Sequence, residues 1–245
     1  MICFMSFYYT ERVALYMKNN NPIYQEIEKN SIALEVSSID GMIIDNKYII
    51  PGLYGKKINK NASLRNMNNI YDETKLVFYS ISPEILLEDH KDKIIIRGNE
   101  KNKEISIIFE KITNISEYLI KNNYPVNLLI TEERYNTSYE MINYAYQEQT
   151  YYRIDKFLSK NKLNKNICFT KTDTISSLCN NKYVIKPSLI LNKSNFSYHL
   201  NKIHNGEIIL IENTLTEEQC KLLLNYISSK NIKIVTISNL LKEDR

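Results

Sequence analysis

Asn205-Gly206-Glu207-Ile208-Ile209-Leu210-Ile211-Glu212-Asn213 is the stretch on which the fold assignment turns. Its four consecutive aliphatic residues, opened by a glycine and closed by a carboxylate, predict a strand buried on both faces. Downstream, Thr216-x-x-Gln219 reads as a capping box. It starts a helix reaching about residue 229, with Cys220, Leu223, Leu224 and Ile227 on one face. Ile232-Lys233-Ile234-Val235-Thr236-Ile237 then predicts a second strand, followed by a short helix over 238–243. Strand, helix, strand in this order is a βα unit, and such units build parallel sheets.

The pattern continues upstream. Residues 105–109 predict a strand, 113–122 a helix and 126–130 a strand; residues 138–149 predict a helix that 152–159 continue. Ile167-Cys168-Phe169 and Tyr183-Val184-Ile185 are strand-like. The first hundred residues have a different texture. Ile43-Ile44 and Tyr48-Ile49-Ile50 flank Asp45-Asn46-Lys47, a hairpin signal. Further extended runs are 76–79 and 93–96, with helices expected near 11–18 and 63–69. The reading is two domains: a small β-rich module over 1–103 and an α/β domain over 104–245.

Composition removes several classes. At 43% hydrophobic and 24% charged, the chain is neither disordered nor low in complexity. No run reaches the length of a membrane span. Residues 1–7 are apolar but lack the basic start and small-residue cleavage site of a signal peptide. A net charge of +4 spread along the chain gives no expectation of nucleic-acid binding. Abundant Ile, Asn, Lys and Tyr fit the codon bias of an AT-rich genome, and the asparagine runs read as loops. Cys3, Cys168, Cys179 and Cys220 have no CxxC spacing and no neighbouring histidine, so buried free thiols are expected.

The C-terminal stretch quoted above resembles the end of the polysaccharide deacetylase family, which closes with a Gly-led strand ending in His-Asp, a helix, and a strand with a Thr-x-Ser-x-Leu-like run. Ile105 to Lys111 looks like the family's first strand, where Phe-Asp-Asp stands. The resemblance covers roughly residues 104–243. Upstream, Pro51-Gly52-x-x-Gly55, Ser63, Met67 and Asp92-Lys93-x-Ile95-Ile96-x-Gly98-Asn99 are similar to a module preceding the deacetylase domain in some Gram-positive bacterial proteins. The resemblance implies a distorted, incomplete (β/α) barrel preceded by that module. In the family one Asp and two His hold a divalent metal, usually zinc. The metal activates water against an N-acetyl group on a glycan, with a second Asp as base and a late His as acid.

Carried over residue by residue, the family's site is substituted. Its Asp-Asp falls on Glu110-Lys111, where a lysine replaces an acid. The His-x-x-x-His segment falls near residues 147–155, which contain no histidine. The Arg-Pro-Pro-like segment reads Thr170-Lys171-Thr172-Asp173, and the late His-Asp reads Glu212-Asn213. His90 lies in the N-terminal module; His199 and His204 precede a strand and belong opposite the catalytic mouth. All three are expected at the surface. No metal or other cofactor is therefore expected, with zinc implied only for an active enzyme.

Two further readings concern the mouth. Glu110, Glu132, Glu133 and Glu212 follow predicted strands, with Arg134, Lys171 and Lys186 nearby as candidate ligand residues. They make either a paired-carboxylate site or the ordinary polar loops of a βα fold. Tyr135, Tyr139, Tyr144, Tyr146, Tyr151 and Tyr152 make either a sugar-stacking platform or a helix packed on the sheet. The expectation is a catalytically inactive deacetylase-like protein binding cell-envelope polysaccharide, with no nucleic acid and no transmembrane segment. The alternatives are an active hydrolase, whether a metal-dependent N-deacetylase or a carboxylate-driven glycan enzyme, and an envelope or spore interaction protein. The resemblance implies a place outside the cytoplasm.

Overall fold

The computed structural model describes residues 20–110, 113–129, 140–144, 166–212 and 214–244. In chain order its first elements are α1 (Pro22–Leu34), β1 (Met42–Ile44), β2 (Tyr48–Ile50), β3 (Gly55–Ile58), α2 (Lys60–Asn66), β4 (Phe78–Ile81) and β5 (Ile94–Ile95). Then follow β6 (Glu104–Phe109), α3 (Asn114–Lys121), β7 (Asn127–Leu129), β8 (Glu140–Tyr144), β9 (Ile167–Phe169), β10 (Tyr183–Ile185) and β11 (Leu189–Leu191). The chain closes with α4 (Phe196–Leu200), β12 (Ile208–Ile211), α5 (Glu217–Ser229), β13 (Lys233–Val235) and α6 (Ile237–Leu240).

Two compact units alternate along the chain: Met1–Ile39 with Tyr54–Pro83, and Asp40–Leu53 with Glu84–Asp244. A single cut near residue 103 does not separate them. In the smaller unit β3 and β4 pair antiparallel, and Ile27, Ile58 and Met67 form a core beside α1 and α2. Asn21 caps α1, its side-chain oxygen accepting from the Ile23 and Tyr24 amides. Buried Ser63 accepts from the Val77 amide at 2.9 Å, fixing the return to β4.

The larger unit holds one long sheet in the order β1-β2-β5-β10-β9-β8-β7-β6-β12-β11, with β13 also on β6. β1 and β2 form the expected hairpin, turned by Asp45 and Asn46 at φ of 50° and 52°. Every other pairing in this sheet is parallel. Side chains alternate across it. Ile105, Ile107, Phe109, Ile209 and Ile211 face the helices, meeting Leu119 of α3 and Leu223 and Ile227 of α5. Ile108 and Leu210 take the opposite face. They share a core with Ile49, Ile95, Ile185 and Phe169 from the far half of the sheet. Strands so distant along the ladder share an interior only if the sheet curls, as in a distorted (β/α) barrel. Among the described residues the ladder does not close.

The N-terminal edge of β6 carries close backbone packing. Gly206, at φ 85°, sits where an added Cβ would lie 2.4 Å from the Gly98 carbonyl oxygen, so only glycine fits. Asparagine supplies other left-handed positions: Asn123 (60°), Asn181 (61°) and Asn231 (54°) close turns where glycine is the commoner choice. The scarcity of glycine in this chain thus has a structural counterpart.

Two expectations are corrected. Residues 140–144, read as helix, are β8, lying between β7 and β9. Both neighbours present ladder groups that need partners there, and tertiary pairing overrides a helical spacing that short apolar runs do not distinguish. Cys168 and Cys179, read as free thiols, form a disulfide with Cα atoms 5.7 Å apart. A 3-10 turn at Ser177–Cys179 folds the chain back on β9, a long-range proximity that spacing did not signal. Cys220 is free and buried as expected, and burial pushes its thiol up to about 11. Cys3 and the helix near 11–18 lie outside the described residues.

Candidate functional site

Because the strands are parallel, their C-terminal ends converge on one edge, where the barrel mouth opens. β6 delivers Glu110 there, β9 delivers Thr170 and Lys171, β12 delivers Glu212 and β11 delivers Asn192. Glu110 continues the parity of Ile108, and Glu212 that of Leu210, which places both on the interior side.

Lys171 and Glu110 form an ion pair, with side chains 29% and 30% exposed. β8 and β7 stand between their strands in the ladder, so this pair spans the mouth. Beside it, a Glu212 carboxylate oxygen accepts from the Asn192 side-chain amide at 3.1 Å. Asn192 is itself held: its carbonyl oxygen accepts from the Ser194 and Asn195 amides and the Ser194 hydroxyl. The loop bearing Lys171 is also internally tied. The hydroxyls of Thr170, Thr172 and Thr174 run in a chain at 3.1 and 2.9 Å, and the Cys168–Cys179 disulfide closes the segment.

Lys186 goes elsewhere. It continues the parity of Val184, which packs with Ile94, Cys168 and Cys179 on the outer face. Its ammonium donates to Asp173 at 2.5 Å, and Lys47 lies 4.0 Å from the same carboxylate. The Lys186 hydrogen bond, followed by that from Tyr48, holds Asp173 below the usual carboxylate range. Tyr48 is raised in turn, chiefly by its hydrogen bond to Asp173. Lys186 thus belongs to an outer-face cluster, away from the Glu110–Lys171 pair. Asp173, Lys47 and Tyr48 were not singled out as site residues. Only the alternation of side chains along β10 could have pointed to them.

Lys111, Glu132, Glu133, Arg134 and Asn213 lie outside the described residues, as do the side chains of the tyrosine cluster. The chain's three histidines all fall inside them. Each precedes a strand: His90 comes before β5, and His199 and His204 before β12. That is the edge opposite the mouth. His204 is exposed, while His90 and His199 are half-buried.

A zinc site of the family's kind needs two imidazoles and a carboxylate. Among the described residues no three His, Cys, Asp or Glu side chains cluster so as to hold a metal. At the mouth, Glu110 faces an ammonium, and a second cation beside that oxygen would be repelled. The described mouth residues do not fit the metal. They offer a paired charge, an amide, a second carboxylate and hydroxyls, all groups that give or accept hydrogen bonds.

No protein-family model and no curated protein matches the sequence. Solved structures do match. The wild-type CE4 family pseudoenzyme from Bacillus anthracis is 18% identical, with 91% of this chain and 95% of that one covered at a TM-score of 0.65. A mutant of that pseudoenzyme with restored enzymatic activity is 17% identical, covering 91% and 98% at 0.65. A peptidoglycan N-acetylglucosamine deacetylase is 12% identical, covering 67% of this chain and all of that one at 0.50. The chain has the fold of the CE4 polysaccharide deacetylases, mixed α/β and barrel-like. No helix among the described residues is long and apolar enough to cross a membrane.

Proposed function

We propose that this chain is a degenerate polysaccharide deacetylase that has lost hydrolysis and binds cell-envelope glycan at the barrel mouth. The observation that carries this reading is the Glu110–Lys171 ion pair. A cation neutralises the acid at the position of the family's first-strand carboxylates, and every histidine stands at the opposite edge. Hydrolysis of an acetamide by the family's route needs a metal-activated water at the mouth; the described mouth residues form no cluster able to hold that metal. The pseudoenzyme match over 91% of the chain supports the reading, since it shows this architecture in a protein described as a pseudoenzyme.

A place outside the cytoplasm is part of the proposal. Its support is the Cys168–Cys179 disulfide, a bond that persists chiefly in oxidising compartments.

The test pairs metal analysis of the purified chain with acetate release from acetylated chitooligosaccharide and binding to peptidoglycan. The expected result is no stoichiometric metal, no acetate and retained binding that Glu212→Ala weakens. Zinc at one equivalent with acetate release would establish a hydrolase and overturn the proposal. Absence of glycan binding, with persistent self-association, would instead place the chain among envelope interaction proteins.

A further inference from the structure

Opposite the mouth, at the N-terminal ends of β6, β12 and β13, lies a cavity of about 680 Å³. Its lining includes four permanent cations, Arg97, Lys101, Lys103 and Lys230, against one carboxylate, Glu100. Arg97 is already engaged: its Nε lies 3.5 Å from Glu207, and a guanidinium nitrogen donates to the Asn205 carbonyl at 2.8 Å. Lys101, Lys103 and Lys230 form no ion pair among the described residues. The carbonyl end of α5 adds about half a negative charge here. Three ammonium groups exceed that and Glu100 together, so the cavity is net positive.

The cavity is built before any ligand arrives. The Gly98 amide donates to the Gly206 carbonyl at 2.7 Å, the Gly206 amide to Glu104 at 2.6 Å, and the Lys233 amide to Lys103 at 2.9 Å. These bonds pin the three loops that carry the cations, so little ordering cost remains to be met on binding. One wall is apolar and aromatic, formed by Ile203, Ile232 and Tyr226. The Lys230 ammonium stands 5.7 Å from the Tyr226 ring centre. An anionic group at the lysines would therefore lie next to a ring face able to carry a sugar's apolar side.

We propose that this cavity binds a phosphorylated sugar, the phosphate held by Lys101, Lys103 and Lys230 and the sugar ring lying on Tyr226. The volume lies within the range of small-ligand sites. Phosphate suits the lysines because they act as point charges without a required bidentate geometry. The site is separate from the mouth and goes beyond the glycan-binding reading, which it does not need.

The test uses the full chain with glucose 6-phosphate, glucose and inorganic phosphate in calorimetric or NMR titrations. Glucose 6-phosphate is expected to bind, more tightly than inorganic phosphate, and glucose not at all. Lys101→Glu with Lys230→Glu should weaken it at least tenfold; both side chains are exposed, and circular dichroism checks that the fold is kept. Tyr226→Phe should retain binding and Tyr226→Ala reduce it, with inorganic phosphate unaffected by either. Absence of glucose 6-phosphate binding, binding unchanged in the double charge reversal, or equal affinity for inorganic phosphate would each overturn the proposal.

Discussion

Glu110 and Lys171 are ion-paired although their strands, β6 and β9, stand three ladder steps apart. Along a flat sheet three steps measure about 14 Å, so the contact reports curvature as well as charge. It joins opposite walls of the mouth.

The strength of that link is measurable by a double-mutant cycle, Glu110→Gln and Lys171→Met. With each side chain about 30% exposed, the coupling should be about 0.5–1 kcal/mol in urea unfolding at low salt. It should shrink at 1 M salt. Zero coupling at both salt levels would mean that the pair does not persist in solution.

Asn127 ties β7 to β6 and to the start of α6. Its amide donates to the Ser106 hydroxyl at 2.7 Å and the Ile107 carbonyl at 2.8 Å, and its oxygen accepts from the Ile237 amide at 2.9 Å. The residue is fully buried. Asn127→Leu strands these partners and should cost about 2–4 kcal/mol, seen as a lower urea midpoint. A loss below half a kcal/mol would show that water replaces the amide.

Gly206→Ala should destabilise by at least about 2 kcal/mol. The new methyl would meet the Gly98 carbonyl oxygen at 2.4 Å, on a backbone at φ 85°. Thermal unfolding tests this, and an unchanged midpoint would show that the two loops separate freely.

The Cys168–Cys179 bond joins residues at a sequence separation of 11. By the chain-entropy account, its removal in Cys168→Ser with Cys179→Ser should cost about 2–3 kcal/mol. Denaturation of the oxidised chain, the reduced chain and the double variant checks this. The reduced chain and the variant should agree, and a reduced chain as stable as the oxidised one would contradict the prediction.

Glu243 gives a pH dependence. Burial raises its carboxyl above the ordinary value, partly countered by the Leu87 and Gly52 amides that donate to it. A raised native value means the group favours folding fully below its unfolded pKa of about 4.3, and that contribution is lost as pH rises through the raised value. Glu243→Gln should therefore gain stability over the wild type at pH 7 and none at pH 3.5. Equal urea midpoint shifts at both pH values would exclude this sign.

The parts legible in the sequence were those decided locally. Four aliphatics in β12, the Thr216 and Gln219 capping box of α5 and the Asp45-Asn46 turn each carry their own instruction, and each appears as read. The absence of histidine from the mouth was equally plain, because it needed only counting and strand order. What stayed hidden depends on partners far along the chain. β2 and β5 look like parts of a separate module, yet they extend the parallel sheet through β10. β8 becomes a strand because of its neighbours. The reach of Lys171 to Glu110, and of Lys186 to Asp173, follows from sheet curvature and parity, neither of which local spacing encodes.

The placement of β6 has a consequence for biogenesis. Besides β7 it pairs with β12 and β13, which lie far downstream in the sequence. During translation this largely apolar strand can meet β7 early, but the edge that β12 and β13 complete must wait for much later chain. Such late, long-distance closure makes for slow maturation and leaves a sticky intermediate. Products truncated before β12 would leave that edge of β6 open, a feature that chaperones and proteases act on.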